Sequence, residues 1–508
     1  MSQGPKTIQS GETAALQKQG SIAAPVIAPD SLARQSSIIP LVVDLDGTLI
    51  ATDSLFEAAL ALLKKQPACF LLFFVWALRG KAFLKAEIAQ RLQLSVENLP
   101  YRLEVLAFLN LEREAGRKLV LATASHQSTA DAVAKHLGLF DQVIASNESI
   151  NLKGPRKRDE LIKLFGVRGF DYMGDSHDDI PVWEASRFAL VVGRAPSAIR
   201  ASAKLEKVFD YPRPTSRTWI KAIRVQQWVK NVLLFIPTFA AHNLEPRVLT
   251  NVLMAFFAFS FIASAAYVVN DLFDMPVDRK HPKKRYRPFA SGQLSIRQGF
   301  VLEALLMTAG FGLAATVGWA LVTCLIVYLG LTFAYSSFLK NKPILDVVVL
   351  ALFYTLRVFT GGIVSGEYIS PWLFQFSIFW FLSLAFVKRY SELYRLQEKH
   401  VQSTPGRGYR LDDLHIISQA GVGSGLLAAL VLALYVNGQE IQRLYPSPQM
   451  LWGISPIFLY WITRVWLIAH RGNMNEDPII YAFHDKVSYI VGLLIASSLI
   501  LGMIAHVG

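Results

Sequence analysis

Three aspartates, Asp271, Asp274 and Asp278, recur at spacings of three and four within the run NDLFDMPVDRKHPKKRYRPFASG, residues 270–292. A helix turns ~100° per residue, so this spacing gathers the three carboxylates on one face. An apolar stretch, Val248 to Val269, runs directly into them and is long enough to cross a bilayer. Directly after them come Arg279, Lys280, Lys283, Lys284, Arg285 and Arg287. Carboxylates at the end of a membrane span are costly unless cations neutralise them. A carboxylate face followed by a basic loop therefore suits a Mg²⁺-bridged diphosphate. A positive-inside loop would explain the basic run, but not the aspartates.

A second group of reactive residue types lies nearer the start. The β-branched run 39–43 ends in Asp44-Leu45-Asp46-Gly47-Thr48. A buried strand that delivers two carboxylates into a glycine turn leaves them at the carboxyl edge of a sheet. A second strand, Lys118 to Ala122, ends at Thr123, and Lys157 sits in a loop entering a helix. A further strand, Phe170 to Met173, ends in Gly174-Asp175-Ser176-His177-Asp178-Asp179. Between the first two strands the pattern is helical, as over Ser54–Lys65 and Ala82–Leu94, which reads as a cap over the site. Within it Ala68 to Leu78, ACFLLFFVWAL, is strongly apolar but too short to span. It reads either as a buried cap helix or as a face laid on the membrane or a lipid substrate.

The elements that carry these residues divide the chain. Its 508 residues are 53% hydrophobic yet 18% charged, with mean hydropathy +0.35. That mixture implies a soluble part fused to a membrane part. The net charge of +13 is gathered in loops between apolar spans, which points to a membrane and phosphorylated substrates, with no nucleic acid. Cys69 and Cys324 lie far apart and read as apolar packing. The expected organisation is a disordered tail over 1–37, an α/β Rossmann-like domain with a helical cap over 38–205, a linker and interfacial helix over 206–230, and an all-α polytopic membrane domain over 231–508. No secretory signal opens the chain, so the tail is expected in the cytosol.

About nine transmembrane helices are expected, near 232–241, 248–269, 299–317, 320–338, 344–364, 371–387, 414–436, 451–470 and 487–506. The first is short and contains Pro237. The loops after the even-numbered spans carry most of the basic residues. The N-terminal domain and the Asp-rich loop are therefore expected on the cytoplasmic side of an integral membrane protein.

Asp44, Thr123, Lys157 and Asp175 at successive strand ends, in that order, resemble the four motifs of the haloacid dehalogenase superfamily of phosphohydrolases. The resemblance implies Asp44 as the nucleophile and Asp46 as the acid that protonates the leaving oxygen. Thr123 would bind the phosphoryl oxygens and Lys157 would neutralise charge. Asp44, Asp46, Asp175 and Asp179 would surround Mg²⁺. A carboxylate attacks a phosphate dianion only when metal and lysine cancel the repulsion.

The 270–292 run resembles the NDxxDxxxD motif of the UbiA-type membrane prenyltransferase superfamily. That resemblance implies an intramembrane helical enzyme whose Asp271, Asp274 and Asp278 hold Mg²⁺ and a diphosphate leaving group. Enzymes of this superfamily that prenylate quinone or haem precursors usually carry a second DxxxD motif after the sixth span. Here that place reads Val387-Lys388-Arg389-Tyr390-Ser391-Glu392-Leu393, with no DxxxD before Leu411. One acidic and one basic motif suit a Mg²⁺-diphosphate donor and an anionic acceptor, with Lys388 and Arg389 on the acceptor's phosphate.

Gln227-Trp228-Val229-Lys230-Asn231, the DRxHPxKRxRP run and KRYSEL together resemble the decaprenyl-phosphate phosphoribosyltransferase branch. The implied reaction moves 5-phosphoribose from phosphoribosyl pyrophosphate to a polyprenyl phosphate. Asn270 would assist the leaving group, and Lys283, Lys284, Arg285 and Arg287 are candidates for the donor's 5-phosphate. Lys230 and Arg357 are further candidates; Asp477 and Asp485 either orient donor or metal or cap a helix. The product keeps a 5-phosphate, which the first domain would remove. The alternatives are an aromatic prenyltransferase with a fused phosphatase, and a membrane-anchored phosphatase. A homo-oligomer is compatible with either arrangement.

Overall fold

Leu41-Val42-Val43 is apolar on both faces, as a strand covered by helices on both sides must be. It forms β1 (Leu41–Val43) at the centre of a six-stranded sheet. The computed structural model describes residues 39–148, 150–194, 204–211, 213–397, 407–474 and 477–504. The tail expected at 1–37 lies outside them.

The other strands are β2 (Leu119–His126), β3 (Gln142–Ser146), β4 (Asp171–Gly174), β5 (Ala189–Val192) and β6 (Leu205–Phe209). All pairings are parallel, in the order β3-β2-β1-β4-β5-β6. The winding reverses between β1 and β4, and a crevice opens outside the carboxyl ends of strands at such a switch point. Strand β6 pairs with β5, so the α/β unit runs past the boundary expected at 205.

Between β1 and β2 lie α1 (Ser54–Lys65), α2 (Cys69–Leu78), α3 (Lys81–Arg91) and α4 (Leu103–Glu114). Helices α5 (Gln127–Leu137), α6 (Pro155–Phe165) and α7 (Ile180–Ala185) complete the layers. The reading of α2 as a buried cap helix does not hold. Only Cys69 and Trp76 are buried, while Leu71 is 72% and Leu78 89% exposed.

After the sheet come α8 (Ser216–Ile223), a 3₁₀ segment over Val225–Phe235 and α9 (Ile236–Ala240). The membrane domain then comprises α10 (Pro246–Lys280), α11 (Ile296–Val317), α12 (Trp319–Ser337), α13 (Leu345–Ser365), α14 (Pro371–Gln397), α15 (Leu414–Val436), α16 (Gln439–Leu444), α17 (Ile454–His470), α18 (Pro478–Ala482) and α19 (Lys486–Ile504). Eight of the described helices are long and apolar enough to cross a membrane.

The segment near 232–241 is not among these eight. It is the end of a tight 3₁₀ run followed by the five-residue α9, whose first turn holds Pro237, so no single helix there is long enough to cross. Its backbone lies directly on α13: a Cβ at Gly361 would meet the Leu234 carbonyl oxygen at 2.1 Å, so only glycine fits.

Helix α10 has 35 residues and so extends ~50 Å, against ~30 Å for the hydrocarbon core. Its last turns must leave the membrane, and these are the turns that carry Asn270 to Lys280.

Candidate active sites at the sheet edge and the helix end

Asp44 directly follows β1 and Asp175 directly follows β4, so the switch point brings them together. Oxygens of Asp44, Asp175 and Asp179 lie within 4.8 Å of one another, close enough to share one divalent cation. Gly47, at φ +80, makes room for them: a Cβ there would meet an Asp175 carboxylate oxygen at 2.1 Å.

Lys157 donates to Asp44 Oδ1 and to the Tyr172 hydroxyl, each at 2.8 Å, and lies 3.5 Å from Asp179 Oδ1. Asp179 Oδ1 accepts from Tyr172 at 2.7 Å, and its Oδ2 accepts from the Ser176 hydroxyl and backbone N–H at 3.0 and 3.2 Å. Both oxygens of Asp179 thus carry hydrogen bonds that fix its place beside Asp44 and Asp175. Asp175 carries only a long contact from Thr48, at 3.4 Å, and keeps lone pairs free for a cation.

Burial, reinforced by the neighbouring carboxylates, pushes Asp175 up to about 8. Burial also carries Asp44 up to about 7, against the pull of Lys157. Burial works against the Lys157 ammonium, but Asp44 and Asp179 outweigh it and hold its pKa above the ordinary value.

The Asp46 side chain lies outside this group of three carboxylates. One of its oxygens accepts from the Ser54 N–H at 2.7 Å and the other from the Ser125 hydroxyl. Burial raises its pKa, which favours the protonated form an acid needs. Thr123 is buried and accepts from the Ser125 N–H at 3.0 Å. The cap also reaches in, as Lys85 of α3 donates to the Ala124 carbonyl and to Asn151.

The three aspartates of α10 have separate fates. Asp271 and Asp278 are buried, and one nitrogen of Arg287 sits between them, 3.0 Å from Asp271 Oδ1 and 2.6 Å from Asp278 Oδ2. Arg224 also grips Asp271 and stacks on Tyr267. A cation position shared by two carboxylates is therefore built here, with a guanidinium in it. Asp274 turns instead to Lys64 of α1, at 2.8 Å. Asn270 is half-buried, and Lys283, Lys284 and Arg285 are exposed in the turn beyond α10.

A second cationic cluster lies at Asp477. Its Oδ2 accepts from Lys230 at 2.9 Å and Lys388 at 3.1 Å, the Tyr354 hydroxyl approaches at 3.3 Å, and Oδ1 caps α18 through the Ile479 N–H. Two ammonium groups on one carboxylate leave net positive charge. Burial would raise the Asp477 carboxyl, but Lys230 and Lys388 outweigh it and hold it well below the usual range. Burial, aided by Lys388, lowers Lys230 to about 8.

Arg389 does not share this face, contrary to the expectation for a substrate contact. It is fully buried between Asp346 and Glu392 and stacks on Tyr409. Lys388 and Arg389 are successive helical residues, and one turn angle separates their directions. Arg357 finds the Asn231 amide oxygen at 2.7 Å, the Phe353 carbonyl and the rings of Phe259 and Tyr328. Asp485 pairs with Arg464 and caps α19.

Four contributors were not legible as site residues: Lys85, Ser125, Arg224 and Tyr354. Ser125 is two residues from Thr123 on the same strand end, the one local signal among them. The others arrive from distant elements.

Residues 232–485 match the UbiA prenyltransferase family, and residues 41–184 match the haloacid dehalogenase-like hydrolases. The chain is 36% identical over 475 residues to an uncharacterized protein of Sinorhizobium fredii, y4nM, covering 92% of this chain and 91% of that one. It is 33% identical over 292 residues to nodulation protein NoeC of Azorhizobium caulinodans, covering 56% of this chain and 92% of that one. It is 36% identical over 187 residues to a decaprenyl-phosphate phosphoribosyltransferase of Corynebacterium glutamicum, covering 36% of this chain and 56% of that one. This integral membrane protein belongs to the UbiA prenyltransferase family and carries a haloacid dehalogenase-like domain ahead of its membrane domain.

Proposed function

We propose that the membrane domain transfers 5-phosphoribose from phosphoribosyl pyrophosphate to a polyprenyl phosphate, and that the N-terminal domain then removes the 5-phosphate from the lipid product. The observation that carries this reading is the pairing of Lys230 and Lys388 on Asp477, with Lys388 standing after the sixth expected span, where the resemblance would lead to a second DxxxD in an enzyme that prenylates quinone or haem precursors. A basic site opposite an acidic one suits two phosphorylated substrates. The phosphoribosyltransferase named above supports the same chemistry.

Asp271 and Asp278 would hold Mg²⁺, which neutralises the pyrophosphate as it leaves. Arg224 and Arg287, released from the aspartates, would then take phosphate oxygens of the donor. Lys388 and Lys230 would seat the lipid phosphate. One of its oxygens attacks the anomeric carbon, the C1–O bond to pyrophosphate breaks, and the pyrophosphate leaves with the electron pair. The acceptor is already an anion, so positioning and charge stabilisation supply the catalysis.

In the N-terminal domain Asp44 would attack the 5-phosphate while Asp46 gives its proton to the departing ribose oxygen. Asp46 then takes a proton from the water that hydrolyses the aspartyl phosphate, and inorganic phosphate leaves. Mg²⁺ on Asp44 and Asp175 would screen the approaching charges, and Lys157 would hold Asp44 ionised.

The test is incubation of the purified chain with Mg²⁺, labelled phosphoribosyl pyrophosphate and a polyprenyl phosphate, followed by mass analysis of the lipid. A ribosyl lipid from the unaltered chain, and a phosphoribosyl lipid from Asp44→Asn, are the expected products. No label in the lipid would overturn the transferase assignment.

A further inference from the structure

Helix α2 carries no charge in its ten residues, CFLLFFVWAL. Cys69, Phe73 and Trp76, at i, i+4 and i+7, face inward onto Leu62 and Ile88. Phe70, Leu71, Leu72, Phe74, Val75 and Leu78 face outward and are exposed. Contiguous apolar surface of this kind on a folded domain marks an interaction site.

Its place relative to α10 says what it meets. Glu57 of α1 binds Arg279 of α10 at 2.6 Å, Leu60 packs with Val268, Leu272 and Met275, and Lys64 binds Asp274 and the Phe273 carbonyl. From residue 57 to residue 64 the ion-pair partner on α10 therefore shifts from 279 to 274, toward the membrane-embedded part. Helix α1 descends along α10 to the bilayer, and α2 begins one turn later. Its ten residues measure ~15 Å, too short to cross but suited to lie in the surface. Between Glu57 and Glu87 the chain has no acidic residue, but it has Lys64, Lys65, Arg79, Lys81 and Lys85. Lys65, Arg79 and Lys81 are exposed around α2, as contact with anionic headgroups requires.

We propose that α2 is an interfacial helix, its outward face seated in the headgroup layer of an anionic bilayer beside the end of α10, so that the cap opens toward phosphorylated lipid. Helix α3 follows directly and its Lys85 reaches the sheet edge, so a lipid-borne phosphomonoester enters the N-terminal site from the membrane plane. This second clause rests on the phosphatase reading; the position of the helix does not.

The experiment uses the full chain in nanodiscs of phosphatidylcholine and phosphatidylglycerol, with the buried Cys69 and Cys324 replaced by alanine. An environment-sensitive fluorophore is placed at Leu71→Cys or, as the aqueous control, at Leu111→Cys on α4, also exposed. Lipids brominated on their acyl chains should quench the first probe several-fold more than the second. Equal, weak quenching overturns the proposal. So does a blue-shifted probe that bromolipid does not quench and that cross-links to a second copy.

In parallel, the double variant Leu71→Glu, Phe74→Glu should still hydrolyse para-nitrophenyl phosphate, while hydrolysis of a phosphorylated polyprenyl lipid in the same nanodisc falls about tenfold or more. Equal loss on both substrates counts against the lipid-access clause. If the unaltered chain hydrolyses neither, the phosphatase reading fails, and the quenching still decides where α2 lies.

Discussion

Asp44 and Asp175 are raised by burial to about 7 and about 8, and the sign of their effect on stability follows. Unfolded carboxylates titrate near ~4, so from there to ~8 the native domain binds more protons than the unfolded chain. Stability of the metal-free domain therefore falls as pH rises through that window. Metal binding requires the ionised ligands and strengthens across the same window. The increase in thermal unfolding temperature caused by Mg²⁺ should grow between about pH 6 and about pH 8.5, and Asp175→Asn should abolish that growth. A pH-independent increase would place the metal elsewhere.

Lys388 and Arg389 make a second contrast between adjacent residues. Lys388→Met removes a charged contact worth roughly 1.5–3 kcal/mol, so the KM for lipid phosphate should rise about tenfold or more, with the fold intact. Arg389→Leu strands the fully buried Asp346, at a cost of about 3–5 kcal/mol. It should lower the unfolding temperature and leave the KM of the folded fraction unchanged. Measuring both quantities in both variants separates a substrate contact from a structural pair.

At the scale of elements, the junction of α1 with α10 joins the two catalytic domains. Glu57 and Arg279 are nearly buried there, and Thr52 donates to Glu57 at 2.8 Å. Glu57→Ala leaves the guanidinium without its partner and should cost about 3–5 kcal/mol. Faster amide exchange along α1 is the expected signature. Lys64 and Asp274 form an exposed pair, so Lys64→Ala should change exchange little, in line with about 0–1 kcal/mol for such pairs. Gly292, at φ +75, brings the loop after α10 against Ala51, in the loop that follows Asp44 and Asp46. A Cβ at 292 would meet the Ala51 Cβ at 2.6 Å, so Gly292→Ala should loosen the same junction.

For the whole molecule, the loop that follows Asp44 and the segment that follows α10 are packed together, with Gly292 against Ala51 and Arg297 of α11 reaching Asp53 at 3.2 Å. Under the proposed two-step reaction, this docking raises the concentration of phosphorylated product at the phosphatase. Loosening the junction with Glu57→Ala and Gly292→Ala together should increase the fraction of lipid that retains its 5-phosphate. Total ribose transfer should stay unchanged. An unchanged ratio would mean that the product dissociates freely between steps.

The fold class and the acidic motifs were legible because they depend on local pattern. Apolar runs, strand ends and a three-four spacing are written along the chain. The carboxyl ends of β1 and β4 meet wherever a parallel sheet of this winding forms, so Asp44 and Asp175 could be paired before any coordinates. What the chain could not state is which cation each carboxylate faces. Arg224 reaches Asp271 from 47 residues away, and Lys230 reaches Asp477 from 247 residues away. Neither separation follows a helical or strand period. Packing alone also turned Asp274 to α1, buried Arg389 while leaving Lys388 beside Asp477, and made the 232–241 segment a broken stretch on Gly361. A side chain's direction on a helix follows from its number, but the neighbour it meets is decided only when the helices assemble.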